Sequence, residues 1–485
     1  MKNMKNTIHI LAIGMLTILL IPSCSGFLDT TPSNRVSSET AMLTLRDADL
    51  AVGGMYDRTK TTSYYGAAMT LLGDNRGDDF QPRSLATGGW IELYSLKYAP
   101  NLNTYFALWD RCYNTIMRAN AILEGWENLP AQSASEVAQK NDIKGQALAV
   151  RAFCHFDLVR SYGYPYLKDN GQSLGVVIVN KTIAPDEALE MERSTVAETY
   201  TFILNDLQES LPLLSKLKNT GKFNYWGARM LQARVCLYKG DYEAAFLAAA
   251  DVINNSPYNL VSNEGYLNDL GTQGGAETIF EILVGADRQQ DMDANNNFDG
   301  VYNNIWHANP GMGRLIPTQA WLDLMAEDPA DVRGKVISVG DGLEGTTWIK
   351  KFPGIGGDFK RNNPRIFRLT EAYLIAAEAA LATSRQSDAN TYLDVIRKRA
   401  NPDNPAITCT LDEVLKERRK EFIGEGHRFF DLMRLGKTVE RVGGFHFAQL
   451  DGCPESFDWS FFKVVLPISD DAIRIYPNLQ QNPGY

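Results

Sequence analysis

The 485-residue sequence predicts a mainly α protein. Antiparallel helix pairs form the body, and long loop-rich, partly β segments lie over it. Three observations predict this. Apolar residues recur at three- and four-residue spacing through eight segments, the signature of amphipathic helices. Small residues and turn signals repeat at fixed offsets between neighbouring segments. The intervening stretches are long yet rich in Tyr and Trp, and loops beyond about 15 residues are uncommon unless functional or disordered.

The helical segments are Asn103–Asn128, Glu136–Tyr162, Thr195–Leu214, Tyr225–Lys239 and Tyr242–Asn254, then Ile366–Ala382, Asp388–Arg399 and Leu411–Leu435. Ala233, Ala245 and Pro257 fall twelve residues apart around the turn Gly240-Asp241-Tyr242. This resembles a tetratricopeptide repeat, with small residues where two helices cross and a proline that stops the second. Ala377 and Ala389 repeat the spacing, with Pro402 one residue late, and 103–162 has the length of a third unit. Such pairs bury their apolar faces only by stacking on one another. Between them, Gly73–Pro100, Leu260–Gly285, Asp291–Gly311 and Gly313–Gly357 read as non-helical, with a strand-like run at Thr278–Leu283. Their aromatic content argues against disorder and marks them as the working surface.

At the N-terminus, Lys2 and Lys5 precede an apolar run, Ile8–Ile21, and then Cys24. The run falls short of the roughly 20 residues needed to span a bilayer and reads as a signal peptide, residues 1–23. Cys24 at the cleavage point resembles a lipoprotein box, although Ile21 and Pro22 depart from its commoner residues. The expectation is a Cys24 thiol that is lipidated and anchors the mature chain. Removing 1–23 takes away two lysines and no acid, so the formal charge moves from -10 to -12. That balance points away from nucleic acid, whose binding needs a basic stripe. Cys112, Cys154, Cys236, Cys409 and Cys453 are odd in number and lack short spacings, which excludes a disulfide framework and a zinc ribbon. Cys154 and Cys236 lie in apolar helical stretches and read as core residues.

Sugar recognition pairs a flat aromatic with a few placed polar groups. Two segments offer that combination. One holds Asp74, Asn75, Arg76, Asp78, Asp79 and Arg83, followed by Trp90 and Tyr94; the other holds Asn303, Asn304, Trp306, His307 and Asn309. Trp90 and Trp306 are the leading stacking candidates. Asp79 has a second reading, as an anchor of its own glycine-rich loop. Trp321 reads as helix packing, and Trp348, beside Lys350 and Lys351, as lining either the site or a partner surface. The alternation Asp291, Asp293, Asn295, Asn297, Asp299 imitates a calcium loop. Asn296 stands where that loop needs glycine and Tyr302 where it needs a bidentate Glu, so a solvated turn is the better reading. No metal and no cofactor are expected. His155, His307, His427 and His446 lack ligand spacing, and the motifs of serine hydrolases, zinc proteases and P-loop enzymes are absent.

From Arg368 onward three segments carry a specific resemblance. They are Arg368-Leu-Thr-Glu-Ala-Tyr-Leu-Ile-Ala-Ala-Glu378 with Leu393–Ala400; Glu417-Arg-Arg-Lys-Glu421 with Gly424-Glu-Gly-His-Arg-Phe-Phe-Asp-Leu-Met-Arg434; and Leu466-Pro-Ile with Pro477–Tyr485. Together with Cys24, Phe27-Leu28-Asp29 and Pro32, they resemble the SusD/RagB family of outer-membrane nutrient-uptake lipoproteins. Ser469 stands where a second proline is usual, and Tyr476-Pro477 replaces the common Asn-Pro. On physical grounds these motifs read as structural. Glu417, Arg418 and Glu421 share a helix face, Arg428 suits an ion pair beside Asp431, and His427 reads as a core-edge residue. The resemblance implies one SusD-like domain over 24–485, with an N-terminal part to about 260 and a C-terminal part from about 261. It also implies four tetratricopeptide-like units and a SusC-like TonB-dependent transporter capped on its extracellular face. The cargo it implies is a glycan, with an oligopeptide as the alternative and a secreted glycoside hydrolase behind both. Family ligand sites draw on loops from the two aromatic segments above.

Overall fold

The computed structural model describes residues 42–83, 89–101, 107–285, 305–308, 311–342, 345–359, 361–442 and 452–485. In chain order the principal helices are α1 (Leu45–Asp57), α2 (Ala68–Asp74), α3 (Gly89–Tyr94), α4 (Leu108–Trp126), α5 (Ala134–Tyr162), α6 (Val196–Ser210), α7 (Tyr225–Lys239), α8 (Tyr242–Asn255), α9 (Gln319–Ala326), α10 (Leu369–Ala382), α11 (Gln386–Ala400), α12 (Leu411–Glu421) and α13 (Arg428–Arg434). Short strands pair antiparallel in twos: β1 (Phe80–Pro82), β2 (Thr278–Glu281), β3 (Leu315–Pro317), β4 (Ile337–Ser338), β5 (Trp348–Ile349), β6 (Arg365–Arg368), β7 (Val439–Glu440) and β8 (Ser456–Phe457).

The helices begin where their caps dictate. Ser133 with Glu136 closes a capping box at α5, and Thr195 with Glu198 does so at α6. Each satisfies backbone N–H groups that the first turn leaves unpaired. Between α7 and α8, Gly240 takes the left-handed conformation (φ 79°), and Asp241 accepts from the Ala244 N–H to start α8. The stack is continuous: α4 packs on α5, α5 on α6, α6 on α7, α7 on α8, α8 on α10 and α10 on α11. Ala233, Ala245, Ala377 and Ala389 are fully buried at the crossings, as their spacing predicts. Interiors are close-packed, so larger residues there force the helices apart. The β2–β6 pair caps this stack through Phe280 and Phe367, whose rings meet Phe153 and Phe223 at 4.5–6.3 Å. Cys154 and Cys236 lie buried as free thiols.

Three boundaries differ from the periodicity. The segment expected to be helical from Ile366 is extended up to Arg368, because β6 pairs with β2 before α10 begins. Of the stretches read as non-helical, Gly73–Pro100 includes α3 and the end of α2, Leu260–Gly285 a short helix at Tyr266–Leu270, and Gly313–Gly357 α9. The stretch Leu411–Leu435 is two helices, not one. It breaks at Gly424 (φ 78°) and Gly426 (φ 79°), a conformation that costs other residues Cβ strain. The break also admits the N-terminal part of the chain. A Cβ on Gly73 would lie 1.9 Å from the Gly426 carbonyl oxygen, so two backbones cross there with no room for a side chain.

The terminus is tied down as its turn chemistry predicts. Asn482 donates to the carbonyls of Tyr162 and Leu466, both at 2.8 Å, and the Tyr485 hydroxyl donates to Val465 O at 2.8 Å. Ser469 caps the short helix Asp470–Ile475 by accepting from the Ala472 N–H, a role proline could not fill.

Candidate functional site

β1 and β3 bring the two aromatic segments together. Phe80 faces Pro317, Gln81 faces Ile316 and Pro82 faces Leu315. Thr318 donates from its backbone N–H to Asp79 O (2.8 Å) and from Oγ1 to Asp78 O (2.9 Å). Arg83 donates through Nε to Gly313 O at 3.1 Å. α3, which carries Trp90, packs against β1. The side chains do less of what the sequence suggests.

Most of the polar candidates are consumed inside the protein. Asp78 accepts a bidentate pair from Arg428, at 2.6 Å from Nε and 2.8 Å from Nη2. Burial opposes its ionisation, but the Arg428 guanidinium outweighs that and holds the carboxyl below its ordinary pKa. Asp79 pairs with Arg419 and lies near Arg428, yet burial still pushes its pKa up. Its anchoring reading is therefore the one the geometry fits. Arg428 was expected beside Asp431; instead Asp431 pairs with Arg418 at 2.7 Å and Arg434 at 3.0 Å. Asp74 is 1% exposed, accepts from the Gly426 N–H at 2.8 Å, and has its pKa raised well up by burial. Arg76 is buried, its guanidinium 3.9 Å over the Phe429 ring. Tyr94 is 2% exposed beneath Arg441, at 4.1 Å. These side chains brace the loop and offer no face to a ligand in this conformation.

Trp306 requires the same correction as a stacking platform. It is 0% exposed, packed on Phe80 with ring centroids 4.6 Å apart, and its indole N–H has no acceptor among the described residues. His307 lies beside it. Burial lowers its pKa to about 4, so the ring is neutral and its Nε2 accepts from the Phe352 N–H at 3.3 Å. His307 also meets the rings of Trp348 (5.1 Å) and Phe359 (5.2 Å). Trp348 is itself buried, with its indole donating to Asp341 at 2.5 Å. The result is a shelf of rings from Phe80 through Trp306 to Phe352, with the partly buried Phe352 and Phe359 at its edge. Neither phenylalanine is among the candidates that the sequence offers. Their signal was the glycine-rich turn Pro353–Asp358 that they flank. Asn303, Asn304 and Asn309, the calcium-like run 291–299, His446 and Cys24 lie outside the described residues, as does the side chain of Trp90.

Behind the shelf a buried ionic seam joins β2, β6, α11 and α12. Glu421 accepts from Arg399 (2.7 Å) and Arg368 (2.9 Å) and lies 3.5 Å from Arg333. Arg368 also pairs with Glu277 and with Glu425 (2.7 Å), and Lys351 reaches Glu425 at 2.5 Å. Burial works against Glu421 ionising, yet Arg399, Arg368 and Arg333 together hold it far below an ordinary carboxyl. His427 belongs to this structural set. Its ring stacks on Phe422 at 4.3 Å, Arg418 lies 3.2 Å from Nδ1, and burial among arginines keeps it neutral. Carboxylates clamped this way do not act as acid–base pairs. Among the described residues no group of three His, Cys, Asp or Glu side chains is placed to hold a metal.

Comparison with known proteins agrees with the fold. A family model described as "SusD family" matches residues 337–485, and one described as "Starch-binding associating with outer membrane" matches 26–237. A crystal structure of a SusD superfamily protein from Bacteroides vulgatus is similar at 37% identity and TM-score 0.83, covering 91% of this chain and 99% of that one. A SusD superfamily protein from Bacteroides thetaiotaomicron is similar at 33% identity and TM-score 0.84, covering 91% and 100%. A SusD-like protein from Formosa agariphila is 24% identical across the full length of both chains. With these matches, the helix stack and the C-terminal motifs in place, the chain belongs to the SusD/RagB family.

Proposed function

We propose that this protein captures an oligo- or polysaccharide at the cell surface and delivers it to a SusC-like TonB-dependent transporter, without catalysis. The carrying observation is the β1–β3 pairing, beside which Phe80 packs on Trp306, in a chain whose residues 26–237 match a family model described as starch-binding and outer-membrane-associated. In this reading Trp90 supplies the stacking ring, and Asn304 and Asn309 bond sugar hydroxyls. Cys24, lipidated, holds the protein on the extracellular face of the outer membrane. The consumed acids support binding over hydrolysis, because glycosidases need two carboxyl groups facing each other across a cleft. Asp78 and Asp79 are instead paired with arginines.

Residues 25–485 titrated calorimetrically with a polysaccharide and oligosaccharide panel test the proposal. One glycan class should bind with Kd of roughly micromolar to millimolar, about -8 to -4 kcal/mol. Trp90→Ala should abolish that binding, and no product should form. Binding of oligopeptides but no glycan, or release of sugar by the pure protein, would overturn it.

A further inference from the structure

α1 and α4 run antiparallel, and their contact brings three arginines together. The Met42 methyl leaves no room for a Cβ on Gly125, and a Cβ on Gly54 would lie 3.5 Å from Arg118 Nη1. Arg111, Arg118 and Gly125 recur every seven residues along α4, so they share the face turned to α1. One turn beyond Gly54 comes Arg58, in the turn Arg58–Lys60 that follows α1 and packs on α4. Arg58 therefore enters the same face, on the way from Arg118 to Arg111.

None of the three is neutralised. Among the described residues no carboxylate pairs with Arg58, Arg111 or Arg118. Arg118 Nε donates to the Asn114 amide oxygen at 3.3 Å, and the Nε atoms of Arg58 and Arg111 are buried without an acceptor. Two acids are near. Asp57 is engaged by Lys60 at 3.6 Å, and Asp110, beside Arg111, is exposed. Burial and the Arg58 guanidinium both pull the Arg118 pKa down, with Asp57 opposing them. Like charges held this close repel. The chain has 58 acidic and 48 basic residues, so acids are the commoner partner, yet none closes this group. All three side chains are half-buried, which keeps them within reach of solvent. A guanidinium presents a planar fork of donors that matches the oxygens of phosphate and sulfate. A neutral ligand would leave the repulsion in place, whereas such an anion cancels it.

We propose that Arg58, Arg111 and Arg118 form an oxyanion site, taking a phosphate or sulfate group that supplies the missing counter-charge between α1 and α4. The site does not rest on the protein being a glycan binder.

The test titrates residues 25–485 calorimetrically, at constant ionic strength, with inorganic phosphate, inorganic sulfate and phosphatidylglycerol vesicles. Phosphatidylcholine vesicles are the neutral reference. Wild type is compared with Arg58→Gln/Arg118→Gln and with Arg46→Gln, an exposed arginine of α1 outside the group. Wild type should bind at least one anionic probe saturably, the double variant at least about tenfold more weakly, and Arg46→Gln as wild type does. Binding of the free ions assigns a small-ion site; binding of the anionic vesicles alone assigns a lipid headgroup. Without any probe the double variant should unfold at or above the wild-type temperature, since the repulsion is gone. If no probe binds, if the double variant binds equally well, or if Arg46→Gln weakens binding as much, the proposal fails. A double variant that unfolds well below wild type without probe would overturn it too, because the arginines would then be holding the helices together.

Discussion

The two loop segments that β1 and β3 bring side by side are held by opposite means. Residues 74–83 are fixed by charge: Asp78 and Asp79 are clamped by Arg428 and Arg419, and Asp74 by a backbone N–H of the next turn. Residues 305–308 are fixed by ring packing, and the indole N–H of Trp306 has no acceptor among the described residues. The difference teaches where each segment can change. Removing one partner of a buried ion pair strands the other, whereas a packed ring tolerates replacement by another ring of similar shape.

The largest effect that would test this comparison lies in the seam behind both loops. Glu421→Ala leaves Arg368, Arg399 and Arg333 short of a counter-charge and should cost about 3–5 kcal/mol in chemical denaturation. A loss below about 1 kcal/mol would mean the seam is not what holds the C-terminal repeats. Asp78→Asn should cost less, about 1–3 kcal/mol, since Arg428 is 15% exposed and partly hydrated. Trp306→Phe should shift stability by under about 1.5 kcal/mol, because it trims the ring and removes an unpaired donor together. Were it to cost as much as Glu421→Ala, the two means of fixing the loops would not differ.

Asp74→Asn should have the smallest effect in acid and the most telling pH dependence. Burial raises the folded pKa of Asp74, so its carboxyl costs stability once the unfolded chain ionises, above about 3.9. That cost is absent in stronger acid and grows as pH rises towards the folded pKa. Asparagine still accepts from the Gly426 N–H and carries no charge. The variant should match wild type near pH 3 and be more stable at pH 8; equal stability at both would show that Asp74 is not perturbed.

Much of the stack was readable in advance, because helix periodicity and the twelve-residue offsets of Ala233, Ala245, Ala377 and Ala389 are local signals. The break between α12 and α13 was not read, although Gly424 and Gly426 were in plain view. Their left-handed turn packs against a segment some 350 residues away, a contact no local signal reveals. The candidate site was half legible. That the two segments lie near one another is seen in the pairing of 80–82 with 315–317 and in the contact of Phe80 with Trp306. Which acids were spent internally was hidden, since an Asp in a glycine-rich loop looks the same whether it meets solvent or Arg428. Trp306 misled for a related reason: a tryptophan among asparagines reads as exposed until Phe80 is found against it.

The close passage of Gly73 over Gly426 also bears on how the molecule is assembled in time. The ties from Asp79, Asp78 and Asp74 span 340, 350 and 352 positions of sequence. Closing loops of that size is slow and comes late relative to local helix pairing. Until residues 419–428 are available, three acids near the start of the chain have no counterpart. A chain cut short before residue 419 leaves that early segment unlatched and open to proteases. The clasp thus forms only in a chain that extends through residue 428.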